Sequence, residues 1–258
     1  MKYDTIEVHL ASDVACVSMN RPEVMNALNT QMRAEITDAY KRLAAQARVI
    51  VLTGRGKAFC SGQDLGDRAN AAQLDLERTL RDEYEPMLRA IIECQIPTIT
   101  ALNGAAAGAG ANLALASDVV IAAKSSYFMQ AFTKIGLIPD AGGTYLMPRT
   151  MGLAKAMGAA LFAEKISAEQ ADAWGLIWEA VADDAFEATW RARAEYLAKG
   201  PTLAYSHLKT ALRASSENNL EAQLALEAKL QKECGNSRDF KEGILAFLEK
   251  RTARFEGR

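Results

Sequence analysis

The sequence has little of what usually announces a metal or disulfide framework. Its four cysteines, Cys16, Cys60, Cys94 and Cys234, are widely scattered, with no C-x-x-C pair and no adjacent histidine. Reduced, buried thiols are therefore expected, and no metal site. Charge of either sign is also scarce in excess. The net charge is −2, and no run of five or six like charges occurs. That excludes diffuse attraction for nucleic acid, so an anionic ligand has to be held locally. No stretch approaches the ~18 uninterrupted apolar residues of a membrane span. The start, MKYDTIEVHL, lacks the apolar core of a secretory signal, so a cytoplasmic location is expected.

What is present is ordinary globular material: 258 residues, half of them hydrophobic and about a quarter charged. This is enough for one large domain, or a domain with an appendage. Ile6 to Met19 reads as two strands around Ser12 and Asp13, broken by Asn20-Arg21-Pro22-Glu23. Leu28 to Ala47 has a helical apolar period and feeds the buried strand VIVLTG. The alternation recurs as a helical stretch from Ala71 to Glu93, the strand Thr98 to Leu102, a small-residue helix after Asn103-Gly104, and the strand Val119 to Ala123. Repeated strand, turn and helix units predict α/β architecture. Beyond Gly200-Pro201 there is no β-branched run, and helices are expected at about 202–214, 217–233 and 238–250. The stripes Leu220, Leu224, Leu226, Leu230 and Ile244, Phe247, Leu248 must pack on the main body or on another subunit.

Three segments are candidates for chemistry. Lys57 to Leu65 follows a strand and so sits at the carboxyl edge of a sheet, where ligands of open α/β sheets bind. Its Ser61-Gly62 permits close backbone approach. The run Asn103 to Asn112 again follows a strand, and its small side chains leave first-turn amides uncovered; close packing of a helix on a sheet needs the same residues. Two such amides would form an oxyanion hole suited to a thioester enolate. In the third segment, Ile135 to Tyr145, Asp140 stands alone between an apolar stretch and Gly-Gly. It either caps the following helix or, with its pKa raised in an apolar pocket, transfers protons.

In this order and spacing, RPEVMNAL (21–28), KAFCSGQDL (57–65), NGAAAGAGANLALASDVVIAA (103–123) and IGLIPDAGGTYLMPR (135–149) resemble the crotonase superfamily, and the likeness runs over nearly the whole chain. The resemblance implies a spiral of ββα units, here residues 1–199, followed by a helical oligomerisation region, 200–258, that builds a homotrimer or a hexamer. It implies an acyl-CoA thioester as partner, with coenzyme A part of the substrate and no metal or further cofactor. The two amides that hold the thioester oxygen match Gln63 and Ala109, with Gly62, Asp64, Leu65, Gly108 and Phe132 around them. For CoA, Arg21 is the candidate phosphate partner, the backbone of Lys57, Ala58 and Ser61 matches the adenine end, and Phe247 and Lys250 are candidates across a subunit boundary.

One departure narrows the chemistry. Superfamily hydratases carry two glutamates that activate water, and the matching positions are Asn112 and Phe132. Neither side chain serves as a general base near neutral pH. Asp140 matches the position where several isomerases of the superfamily place their one acid. Its surroundings, together with SAEQADAWGLIWEAV (167–181), are most similar to the branch that isomerises ring-1,2-epoxyphenylacetyl-CoA in phenylacetate degradation. The expectation is an isomerase of that kind, or one that shifts enoyl-CoA double bonds. Three alternatives stay open: a hydratase, a fatty-acid Δ3,Δ2-enoyl-CoA isomerase, and a non-catalytic acyl-CoA-binding scaffold. A short-chain reductase is disfavoured because its glycine turn belongs after the first strand, whereas this one begins at residue 104.

Overall fold

VIVLTG, TITAL and VVIAA form neighbouring parallel strands of one sheet, in keeping with their unbroken apolar character, which suits strands covered on both faces. The computed structural model describes residues 2–64, 66 and 75–257. β1 (Ile6–Ala11) and β2 (Val14–Met19) make the opening hairpin. Ser12 and Asp13 both take left-handed backbone, φ 50° and 63°, as a tight hairpin turn of the favoured hand requires. Beyond β2 lie β3 (Val49–Gly54), β5 (Thr98–Leu102), β7 (Val119–Ala123) and β10 (Glu179–Val181), all parallel, giving the order β1-β2-β3-β5-β7-β10.

A second sheet is built from three-residue strands: β4 (Ala58–Cys60), β6 (Ala105–Ala107), β8 (Tyr127–Met129) and β9 (Lys165–Ser167), in that order, with only β9 antiparallel. The chain therefore lays one strand in the first sheet, one in the second, and then returns by helix. After β4 come α2 (Leu76–Thr79), a π-helical turn (Leu80–Tyr84) and α3 (Glu85–Ile92). After β6 comes α4 (Ala109–Ala114), and after β8, a 3₁₀ turn (Ala131–Ile135) and α5 (Gly143–Phe162). The strand, turn and helix units read from residue patterning are thus two-strand units, the ββα repeat that the resemblance implies. AFC, AAA and YFM are too short to show a period-2 pattern.

The two faces of the first sheet build separate cores, as the alternation of side chains demands. Val49, Val51, Ile99, Ala101 and Ile121 pack against Trp190, Ala194 and Ala198 of α7 (Asp183–Ala198). Ile50, Leu52, Leu102, Val120 and Ala122 face the larger core, with Met32, Ile36, Tyr40 and Leu43 of α1 (Thr30–Leu43). α1 starts two residues later than the apolar pattern suggests, because Asn29 caps it by accepting from the Met32 amide. Leu28 is thereby freed to pair with Gln63.

α6 (Ala168–Ala173) precedes β10, and the chain ends in α8 (Thr202–Ala214), α9 (Leu220–Gly235) and α10 (Arg238–Leu248). α8 is tied to the sheet by polar contacts, since it has no buried residue. Lys209 Nζ donates to the Cys94 and Ile96 carbonyls at 2.5 and 2.7 Å and pairs with Asp118 at 2.7 Å. Arg48 reaches Thr202 and the carbonyls of Gly200 and Phe255. The leucine stripes are uncovered in the single chain: Leu220 is 74% exposed and Phe247 83%. Of the four free cysteines, Cys60 and Cys94 are buried as expected, while Cys16 and Cys234 are only partly so.

Candidate active site

The site forms where the carboxyl end of β4 meets the turn between β6 and α4. Gly62 takes φ 101°, and a side chain there would meet the Ala107 carbonyl at 2.8 Å and the Ala109 nitrogen at 3.5 Å. Only glycine lets the two segments approach this closely. Leu28 holds the loop from behind: its N–H donates to Gly62 O at 2.7 Å and its carbonyl accepts from Asp64 N at 3.1 Å. Because both bonds of this bridge come from Gln63's neighbours, the Gln63 N–H points away from Leu28. Ala109 is the first residue of α4, with Gly108 (φ 52°, ψ −130°) turning the chain into it. Neither the Gln63 nor the Ala109 amide donates to a protein acceptor among the described residues. α4 spans six residues, so its contribution is the local amide rather than a long helix dipole.

Asp140 does not cap α5. That helix begins at Gly143 with Gly142 as its N-cap, φ 80°, and no side-chain cap bond. Ala141 and Gly142 both lie in the left-handed region and carry the chain from Asp140 into the helix. The Asp140 carbonyl accepts from Gly143 N and from Asn112 Nδ2, each at 2.8 Å. Its Oδ1 is buried and has no hydrogen-bond partner among the described residues. Burial pushes the Asp140 carboxyl up from 3.8 to about 6, offset in part by a hydrogen bond from its own backbone. A carboxyl of that pKa exchanges protons near neutrality.

Asn112 and Phe132 are both buried. Asn112 is committed at both ends, since its Oδ1 accepts from Gln130 Nε2 at 2.9 Å while its Nδ2 holds Asp140. The Phe132 ring lies against Gly108, beside the Ala109 amide; a side chain at Gly108 would sit 3.9 Å from Phe132 Cζ.

The structure brings Gln63, Ala109, Gly62, Gly108 and Phe132 together. It engages several of the CoA candidates internally. Arg21 pairs with Asp64 at 2.7 Å and also donates to the Ala27 carbonyl at 2.7 Å. The Ser61 amide donates to Met25 O at 3.0 Å, and the Ala58 carbonyl accepts from Asn26 Nδ2 at 2.9 Å. Lys57 is exposed, and Leu65 lies outside the described residues. Phe247 lines a groove of about 1120 Å³ among α8, α9 and α10 that includes no residue of the β4 and α4 turns. Lys250 follows α10 with a left-handed φ of 55°. Among the described residues no cluster of three or more His, Cys, Asp or Glu is gathered to hold a metal ion, and no helix is long and apolar enough to cross a membrane.

The sequence reading missed a second layer. Arg33, only 1% exposed, donates to Leu28 O at 2.6 Å, to Gln63 Oε1 at 3.1 Å and to Glu83, while Tyr84 OH donates to Gln63 Oε1 at 2.5 Å. Arg33 lies on α1 and Tyr84 ends the π-helical turn, and in the sequence each reads as an ordinary interfacial residue.

A family model described as Enoyl-CoA hydratase/isomerase matches residues 9–258. A probable enoyl-CoA hydratase of Rhodobacter capsulatus is 61% identical over 258 residues, all of both chains. The 1,2-epoxyphenylacetyl-CoA isomerase of Escherichia coli is 43% identical over 97% of each. Among solved structures, a putative enoyl-CoA hydratase/isomerase from Mycobacterium abscessus superposes with a TM-score of 0.93 at 35% identity, over 98% of this chain and all of that one.

Proposed function

Since the chain belongs to the enoyl-CoA hydratase/isomerase family, whose members act on CoA thioesters, we propose that it is an acyl-CoA isomerase with Asp140 as its one acid/base residue. In this reading the Gln63 and Ala109 amides receive the thioester oxygen. Asp140 takes a proton from the carbon next to the carbonyl. Charge moves onto the oxygen as a dienolate, where two preset donors stabilise it. The carboxylic acid so formed returns the same proton further along the conjugated system. Protons and charge balance within the substrate, and the step as drawn uses no metal or redox group. One observation supports the reading: burial raises the Asp140 carboxyl to about 6, while the two positions matching the hydratase glutamates are a tethered amide and a buried aromatic ring.

The acyl group we infer is ring-1,2-epoxyphenylacetyl, a linear 3-enoyl chain, or both, within phenylacetate breakdown; the Escherichia coli relative's activity supports the first. The name of the Rhodobacter relative favours hydration as the competing reading. Purified protein offered a 3-enoyl-CoA, enzymatically generated epoxyphenylacetyl-CoA and crotonyl-CoA separates them. Turnover of either of the first two with little hydration of the third is the expected result. Rapid hydration of crotonyl-CoA, or undiminished isomerisation by Asp140→Asn, rejects the mechanism.

We also propose that residues 200–258 are an oligomerisation region on a 1–199 core. The exposed stripes on α8, α9 and α10 support a subunit contact, because apolar groups of this size are seldom left in water together.

A further inference from the structure

The π-helical turn Leu80–Tyr84 has no part in the mechanism above. A π turn interrupts the regular ladder and redirects side chains, and such turns are often retained at functional sites. Here it brings two successive side chains onto Arg33. Glu83 Oε2 accepts from Arg33 Nη2 at 2.5 Å, and the Tyr84 ring lies 4.7 Å from the guanidinium with its hydroxyl 3.4 Å from Nη1.

Arg33 and Tyr84 then converge on Gln63. Its Oε1 accepts from Tyr84 OH at 2.5 Å and from Arg33 Nη1 at 3.1 Å. The Leu28 carbonyl, which accepts from the Asp64 amide, is gripped by the same Arg33 nitrogen at 2.6 Å. Gln63 is therefore held through its side chain from one side and through its neighbours' backbone from the other. Tyr84 is 3% exposed, and the charge of Asp140 is among the causes, after burial, that push its hydroxyl upward.

We infer that Tyr84, with Arg33, is a positioning residue for the oxyanion site, locking the Gln63 side chain so that the Gln63 N–H stays aimed at the thioester oxygen. The inference rests on the assignment of that amide to the oxyanion site. Tyr84 touches no reacting atom in this scheme. It acts by removing freedom from a loop residue whose amide has to be preset before charge develops.

Tyr84→Phe keeps the ring over Arg33 and deletes one O–H. With butyryl-CoA labelled with ¹³C at the carbonyl, difference infrared spectroscopy reads how strongly the bound carbonyl is polarised, independently of turnover. The expected result is a carbonyl stretch displaced back toward that of free butyryl-CoA. It should be accompanied by a fall of roughly tenfold in kcat and a KM changed by less than ~2-fold, smaller than the ~10²–10³ loss from deleting an oxyanion donor outright. Gln63→Leu, in a half-exposed loop, is expected to reproduce the spectral change. Wild-type spectra and kcat in both Tyr84→Phe and Gln63→Leu overturn the inference. An unshifted stretch in the wild-type protein removes the oxyanion assignment beneath it, and the two failures are thus told apart.

Discussion

Asn112 Nδ2 donates to the backbone carbonyl of Asp140 at 2.8 Å, tying the proposed acid to α4. The tether is itself clamped. Gln130 Nε2 holds Asn112 Oδ1, and a side chain at Gly143 would meet Asn112 Nδ2 at 2.4 Å. Two variants test it from opposite sides. Asn112→Ala leaves buried partners unmatched, and Gly143→Ala forces a methyl into the amide. Each is expected to cost about 1–3 kcal/mol of stability. Each is also expected to lower kcat by more than a tenfold, since a carboxylate misplaced by ~1 Å loses productive geometry. Denaturant unfolding alongside turnover measures both, and a destabilised variant with full kcat would argue that Asn112 supports the fold alone.

The raised pKa of Asp140 sets a pH profile. In the proposed mechanism the residue acts first as a base and works ionised, so kcat/KM should climb as pH rises and be half-maximal near the free-protein value of about 6. A profile flat from about pH 5 to about pH 7, roughly one unit either side of that value, is inconsistent with Asp140 as the base.

The same shift has a consequence for stability with a definite sign. The folded state holds the Asp140 proton more tightly than the unfolded chain, whose value is the ordinary 3.8. Protonation therefore favours folding, and this group's contribution falls as pH rises from 3.8 through about 6. Asp140→Asn removes the cost of burying the charge. It is expected to raise Tm above pH 6 and to lose that advantage toward pH 3.8, as thermal scans at several pH values can show. Equal Tm at all pH values would mean the carboxylate is solvated.

Lys209 joins α8 to the sheet through two carbonyls and Asp118, and its side chain is 11% exposed. Burial lowers its pKa against the opposing pull of Asp118. Lys209→Met should cost about 2–3 kcal/mol, less than breaking an isolated buried pair because Arg213 still meets Asp118 at 2.6 Å. At this chain length the loss corresponds to a fall in Tm of roughly 5–10 °C.

Leu224, 54% exposed on α9, lines the groove among the C-terminal helices. If that groove is covered by another copy, Leu224→Glu will shift the light-scattering mass toward a single 28.0 kDa chain. A wild-type protein already of that mass would remove the proposed subunit contact.

Much of the fold was legible in the sequence because its signals are local. VIVLTG, TITAL and VVIAA announce buried parallel strands by composition, Ser12-Asp13 announces a hairpin, and the loss of β-branched runs after Gly200 announces a helical end. The second sheet was not legible, since three alanines or AFC form strands only because neighbouring segments arrive to pair with them. The site divides the same way. Lone Asp140 and the small residues around the start of α4 stand out in the sequence itself, whereas Asn112 and Phe132 stand out only through the resemblance. That Asp140 leaves α5 uncapped and keeps a buried, unpartnered oxygen is decided only in the folded chain, and that Asn112 tethers its carbonyl depends on a contact spanning 28 positions. Arg33 and Tyr84 carried no signal at all, being ordinary helix residues until folding placed their donors on one glutamine oxygen. Sequence determined which residues were available; tertiary packing decided which buried polar groups were clamped, as Asn112 and Gln63 are, and which were left without a partner, as Asp140 Oδ1 is, and that is what shapes this site.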